Sequence, residues 1–145
     1  MKVVRIILGI LVGMIAITLV AELIEFATVK FVSGESFEVL STDQQRYFEI
    51  RNQTGILIFK MFYTLLAVAV AGYLTSWVTK FYVRVAISLL ILIQIVSLIW
   101  AGFLSELSAT GPTWMWIMLI VITPIGVYAG QILRERSENR QIQIA

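Results

Sequence analysis

The sequence predicts an all-α integral membrane four-helix bundle, with both chain ends on the cytoplasmic side (N-in, C-in) and a short amphipathic helix in the first outer loop. Three observations predict it. Hydrophobic residues make up 59% of the 145 residues and charged ones 14%, against roughly 25% charge in soluble domains; the mean hydropathy is +0.91. Four runs reach the length of about 20 apolar residues that a membrane helix needs. The basic residues are distributed unevenly across the loops between those runs.

The first span covers residues 3–29. Its apolar stretch exceeds the roughly 7–15 residues of a signal-peptide core, and no convincing small-x-small cleavage site precedes the loop, so it reads as an uncleaved signal anchor. An outer loop follows over 30–54. Within it Ser41 or Thr42, followed by Gln44 or Gln45, resembles a capping box. A helix from Asp43 to about Arg51 would turn Tyr47, Phe48 and Ile50 towards the membrane surface. Asn52-Gln53-Thr54 is a formal glycosylation sequon, discounted because it lies almost at the membrane. The second span, 55–78, and the third, 81–104, are joined by a tight turn around Thr79–Lys80; the fourth covers 113–133, and a charged tail runs over 134–145. The chain is one membrane domain, 1–145.

Orientation follows from Lys and Arg. With both termini inside, seven basic residues fall on the inner side (Lys2, Arg5, Lys80, Arg84, Arg134, Arg136 and Arg140) and four outside (Lys30, Arg46, Arg51 and Lys60). That is the positive-inside pattern. Trp114, Trp116, Trp100 and Phe103 then form an outer aromatic belt, and Trp77, Phe81 and Tyr82 an inner one. This layout predicts a plasma membrane, specifically a bacterial inner membrane, with the lipid bilayer as first partner and no nucleic acid.

Small residues predict packing, since lipid-embedded helices approach through them. Gly9-x-x-x-Gly13 and Gly126-x-x-x-Gly130 both fall in the cytoplasmic half, where they would meet in an antiparallel contact, unless nine glycines in an apolar chain produce such spacings by chance. At about 100° per residue Gly9, Gly13, Ala16, Val20 and Ala27 share one face of the first helix, and Glu22 and Glu25 lie on the other. Ala67, Ala71 and Gly72 form a strip on span two. Pro124 removes a helical N–H and predicts a kink near Val121–Ile122. Gln94, near mid-membrane, needs a partner, either an interhelical hydrogen bond or a substrate.

The chain has no Cys and no His. Disulfides, thiolate metal sites, the commonest general base and the usual zinc and haem ligands are therefore excluded. No catalytic residue, metal or cofactor is predicted, and no enzyme. The charged groups with functional potential are Glu22, Glu25 and Lys60. Counted from Arg5 at 1.5 Å per residue, Glu22 lies within about 5 Å of the outer edge and Glu25 at the interface. Lys60 reaches similar depth, so it can pair with Glu22 or Glu25. The two carboxylates are either interfacial charges or a proton- or cation-binding pair.

Two resemblances bear on that choice. Ala21, Glu22, Lys30 and Phe31 within residues 21–37 resemble the first helix of the small multidrug resistance transporters, four-span antiporters whose helix-one glutamate alternately binds protons and cationic drugs within a dimer. The resemblance implies that role for Glu22. The family's helix-three Pro-Gly-Tyr-Ala-Trp pattern is absent, and the outer loop is much longer. Across the whole chain, Glu22, Thr54-Gly55, Pro112-Thr113-Trp114-Met115-Trp116, Pro124 and Gly130 resemble a family of uncharacterised bacterial four-span proteins with no assigned activity; the polar His that often follows its helix-one glutamate is absent here, where Phe26 and its neighbours stand. The function expected is therefore a non-catalytic accessory or scaffolding subunit of a larger membrane complex, or a homo-oligomer. The alternative is a small proton-coupled transporter using Glu22.

Overall fold

Helix α1 of the computed structural model, Lys2–Ser33, is the first of four helices long and apolar enough to cross a membrane. The others are α4, Thr54–Thr79; α5, Val83–Ile99, continued by a π-helical turn over Trp100–Leu104; and α6, Thr113–Ile144. They make this a helical multi-pass membrane protein. Two short helices, α2 (Phe37–Thr42) and α3 (Gln44–Arg51), fill the loop between α1 and α4, and a 3-10 turn, Glu106–Thr110, joins the π turn to α6. The structure describes residues 2–144; Met1 and Ala145, the two ends of the expected 1–145 domain, lie outside the described residues.

Helix α4 is the axis of the bundle, with its most extensive contacts to α6 and α1, while α5 closes the remaining side. Its sequence explains this. Ala67, Ala71, Gly72, Thr75, Ser76 and Thr79 are all buried along it, and side chains this small let neighbouring backbones come close. The two glycine pairs do not meet each other, as the spacing had suggested. Each packs on α4 instead. A Cβ at Gly9 would strike Thr79, and one at Gly13 would strike Thr75 and Leu90. A Cβ at Gly126 would strike Val68, one at Gly130 the carbonyl of Ala69, and one at Gly72 the carbonyl of Val127. The reason is that α4 offers a second small-residue strip on each side, so both outer glycine helices find a better partner than one another.

Between α4 and α1 the Thr75 hydroxyl donates to the Gly9 carbonyl across 3.0 Å. Thr75→Val keeps the shape and removes the donor. It is expected to cost about 0.6 kcal/mol, the average for interhelical hydrogen bonds in a membrane protein, read as a small shift in the midpoint of detergent-induced unfolding.

At its C-terminal end α1 stops where Gly34 takes a left-handed conformation (φ 67) and donates its N–H to the Lys30 carbonyl, a backbone state that glycine adopts without strain. The chain then doubles back. Ser36 caps α2 by accepting from the Val39 N–H, and Asp43 caps α3 by accepting from Arg46. The Ser41 and Thr42 hydroxyls bond back to the carbonyl of Glu38 rather than forward, so the cap of α3 is Asp43 and not the expected box. Leu40 and Ile50 bury against Val29 and Ile56, and the Phe26 ring packs on Phe37 and Tyr47. Helix α3 therefore presents Tyr47 and Ile50 to the protein.

Two further differences concern the later spans. The third ends in a π turn, in which the Ser105 N–H reaches back to the Trp100 carbonyl. The fourth lies within a longer helix: α6 runs through Pro124 and on to Ile144, so the charged segment after residue 133 is a helical continuation. Arg134 pairs with Glu138, and Gln131 donates to Glu135, at the i,i+4 spacing that places side chains on one face. The turn between α4 and α5 contains no glycine, yet Lys80 and Tyr82 both have positive φ, at 54° and 58°, a region that costs most residues energy.

Candidate functional site

Two pairs of side chains at helical spacing converge on one carboxylate. Lys60 and Tyr63 lie three apart on α4, and Tyr47 and Arg51 four apart on α3, so each pair shares a face of its helix. Between them sits Glu25 of α1, 5% exposed. Its Oε2 accepts from Lys60 Nζ and, across 3.1 Å, from the Tyr63 hydroxyl. Its Oε1 accepts from the Tyr47 hydroxyl at 3.3 Å and pairs with Arg51 Nη1 at 3.6 Å. A carboxylate has about four acceptor positions, and here four donors surround it.

Arg51 extends the cluster. Its guanidinium donates to the carbonyl of Thr110 and stands 4.6 Å from the Phe48 ring. Asn52 donates to the same carbonyl at 2.9 Å. The cluster thus joins α1, α3, α4 and the connection leading to α6. Burial and the adjacent Glu25 charge push the Tyr47 phenol well above its usual range, so it remains a protonated donor.

Beside the cluster lies a cavity of about 440 Å³, within the usual size range for small-molecule sites. Tyr47 and Arg51 line its end beside the cluster, and Thr64, Gln94, Trp116, Ile17 and Val68 line it along the long helices. Among the described residues no group of three His, Cys, Asp or Glu is placed to hold a metal ion.

The residues singled out from the sequence are distributed as follows. Glu25 and Lys60 are paired, Glu25 buried and Lys60 partly so. Glu22 is exposed on the cavity rim and has no ion pair among the described residues. Gln94 also lines the cavity and makes no hydrogen bond to another helix among the described residues. Gly9, Gly13, Gly126 and Gly130 serve the contacts with α4. Pro124 stands in an unbroken helix, where the Thr123 hydroxyl bonds the Leu119 carbonyl at 2.7 Å. Trp114 is exposed, but Trp116 is half-buried against Gly102 and its indole N–H is sealed from solvent without a partner. The belt reading therefore does not cover Trp116.

Sequence reasoning missed Tyr47, Arg51, Tyr63, Thr64 and Trp116 as site residues. The usable signal was the spacing of Tyr47 with Arg51 and of Lys60 with Tyr63. No protein-family model, curated protein or solved structure matches the chain. Fold and site together define a helical multi-pass membrane protein with a buried ionic cluster opening on a cavity.

Proposed function

We propose that this protein is a non-catalytic accessory or scaffolding subunit, or a small homo-oligomer, of a bacterial plasma membrane, with both ends in the cytoplasm. One observation carries the reading: Glu25, the single buried carboxylate among the described residues, is fully engaged by Lys60, Arg51, Tyr47 and Tyr63. A general base needs a free lone pair within reach of a substrate proton, and Glu25 offers none. It acts as a clasp between elements. The outward faces of α1 and α5 support the same reading. Only 17% and 22% of their most apolar windows are buried, which leaves broad apolar surface for lipid or for neighbouring helices. Orientation rests on the seven-to-four distribution of basic residues. The bilayer is the first partner, a larger membrane complex or a second copy the next, and nucleic acid is not one.

The mass of the particle in native detergent tests this. The expected result is a multiple of 16.4 kDa, or a complex with other membrane chains; a lone monomer would count against it. A second reading, a small proton-coupled transporter, is favoured by the place of Glu22, exposed on the cavity rim. It requires that Glu22→Gln abolish substrate-driven proton release. On the scaffold reading, wild type and variant show no such release.

A further inference from the structure

The geometry points to the cavity as a binding site for an amphiphile with an anionic oxygen head group and an apolar chain, held with its head beside Arg51 and Lys60. The inference goes beyond the scaffold reading and does not depend on it. Three observations support it. The first is charge. The cluster sets two cations, partly buried Lys60 and buried Arg51, against one anion, Glu25, and an excess charge largely away from water is costly until something neutralises it. Glu22, exposed on the rim of the same cavity, forms an ion pair with neither cation among the described residues.

The second observation is a surplus of donors. Glu25 is saturated, and the Thr110 carbonyl already accepts from both Arg51 and Asn52. Yet Arg51 Nε, Thr64 Oγ1 and Trp116 Nε1 are buried without any partner, and all three residues line this one cavity. Gln94 adds an uncommitted amide, and Lys60 uses one of its three donors on Glu25. Buried polar groups are nearly always satisfied. A wall with two cations and unspent N–H donors suits a ligand that brings oxygens. A cationic head would have to sit beside Lys60 and Arg51.

The third observation is polarity along the cavity. Glu25 and Ile17 both line it and are eight residues apart on α1, about 12 Å at 1.5 Å per residue. The end beside Glu25 is ionic; away from it the wall includes Ile17, Val68 and Leu119, and the Thr123 hydroxyl there is spent on the Leu119 carbonyl. A head group and a chain fit that gradient in one orientation.

Trp116 in the wall gives a direct readout. The full chain is placed in nanodiscs of uncharged phosphatidylcholine and titrated with a fatty acid brominated on its chain, and separately with an alkyl trimethylammonium of the same length and bromination. The expected result is saturable quenching of tryptophan fluorescence by the carboxylate and only linear, partition-driven quenching by the ammonium. Trp116→Phe should remove the saturable part while Trp77, Trp100 and Trp114 continue to report partitioning. Gln94→Leu, which leaves the ionic cluster intact, should raise the half-saturation concentration roughly tenfold, as the loss of one good hydrogen bond to a charged group does. Equal saturable quenching by both probes would overturn the proposal. So would a saturable part that survives in Trp116→Phe, or displacement of the fatty acid by an equal concentration of acetate or inorganic phosphate, which would show that the site takes a free anion without a chain.

Discussion

Glu25→Gln is expected to destabilise the folded protein by about 3–5 kcal/mol, the usual cost of removing one partner from a buried ionic group. The amide can still accept from Tyr47 and Tyr63, but buried Arg51 and partly buried Lys60 are left as two cations with no anion between them. Glu22→Gln, three residues earlier, alters an exposed side chain and is expected to stay within about 0.5 kcal/mol of wild type. The comparison is read from the midpoints of reversible unfolding in mixed detergent micelles. A double variant, Glu25→Gln with Lys60→Met, should recover part of the loss, because it removes one of the stranded charges while keeping the aliphatic stem; such coupling is expected of groups in direct contact. Equal losses at Glu22 and Glu25 would rule out the clasp.

The contrast between these two glutamates shows how far the sequence can be read. The four spans were legible because a bilayer demands about 20 apolar residues in each, and little else in a short chain satisfies that. Measuring depth from Arg5 treats α1 as an isolated rod, and on that count Glu22 is the deeper carboxylate. Burial at the C-terminal end of α1 is set instead by what folds over it. Helices α2 and α3 return onto the face that carries Glu25 and Val29, and Glu22, about 60° away around the helix, is left on the rim. Nothing in α1 alone encodes that cover. The glycine pairs carried a real packing signal, but with small residues on three helices the partner could not be read from them. The density of Ala, Gly, Ser and Thr between Ala67 and Thr79 was the better pointer to the central helix. Trp114 and Trp116 make the same point at smaller scale. Two positions apart, they face nearly opposite directions on α6, so one meets the surroundings while the other enters the protein.

Gly130→Leu and Gly72→Val are expected to be the most damaging substitutions in the transmembrane region. A Cβ at either position would run into backbone, the carbonyl of Ala69 from Gly130 and that of Val127 from Gly72. Overpacking costs about 1–3 kcal/mol where side chains can yield. Backbone in two packed helices cannot yield, so α4 and α6 must separate, and each loses its contact with the element that organises the bundle. The expected loss is at or above the upper end of that range, seen as a fall in the monodisperse fraction on size exclusion. Gly9→Ala should do less, because the atom in its way is the side-chain hydroxyl of Thr79, which has no hydrogen-bond partner to give up. Gly55→Ala is the control. Nothing lies within 4 Å of its new Cβ, and alanine's better helix propensity is worth up to about 1 kcal/mol, so that variant should match or exceed wild type. If Gly130→Leu tolerates extraction as well as Gly55→Ala does, the close approach of α4 and α6 is not what holds the four helices together.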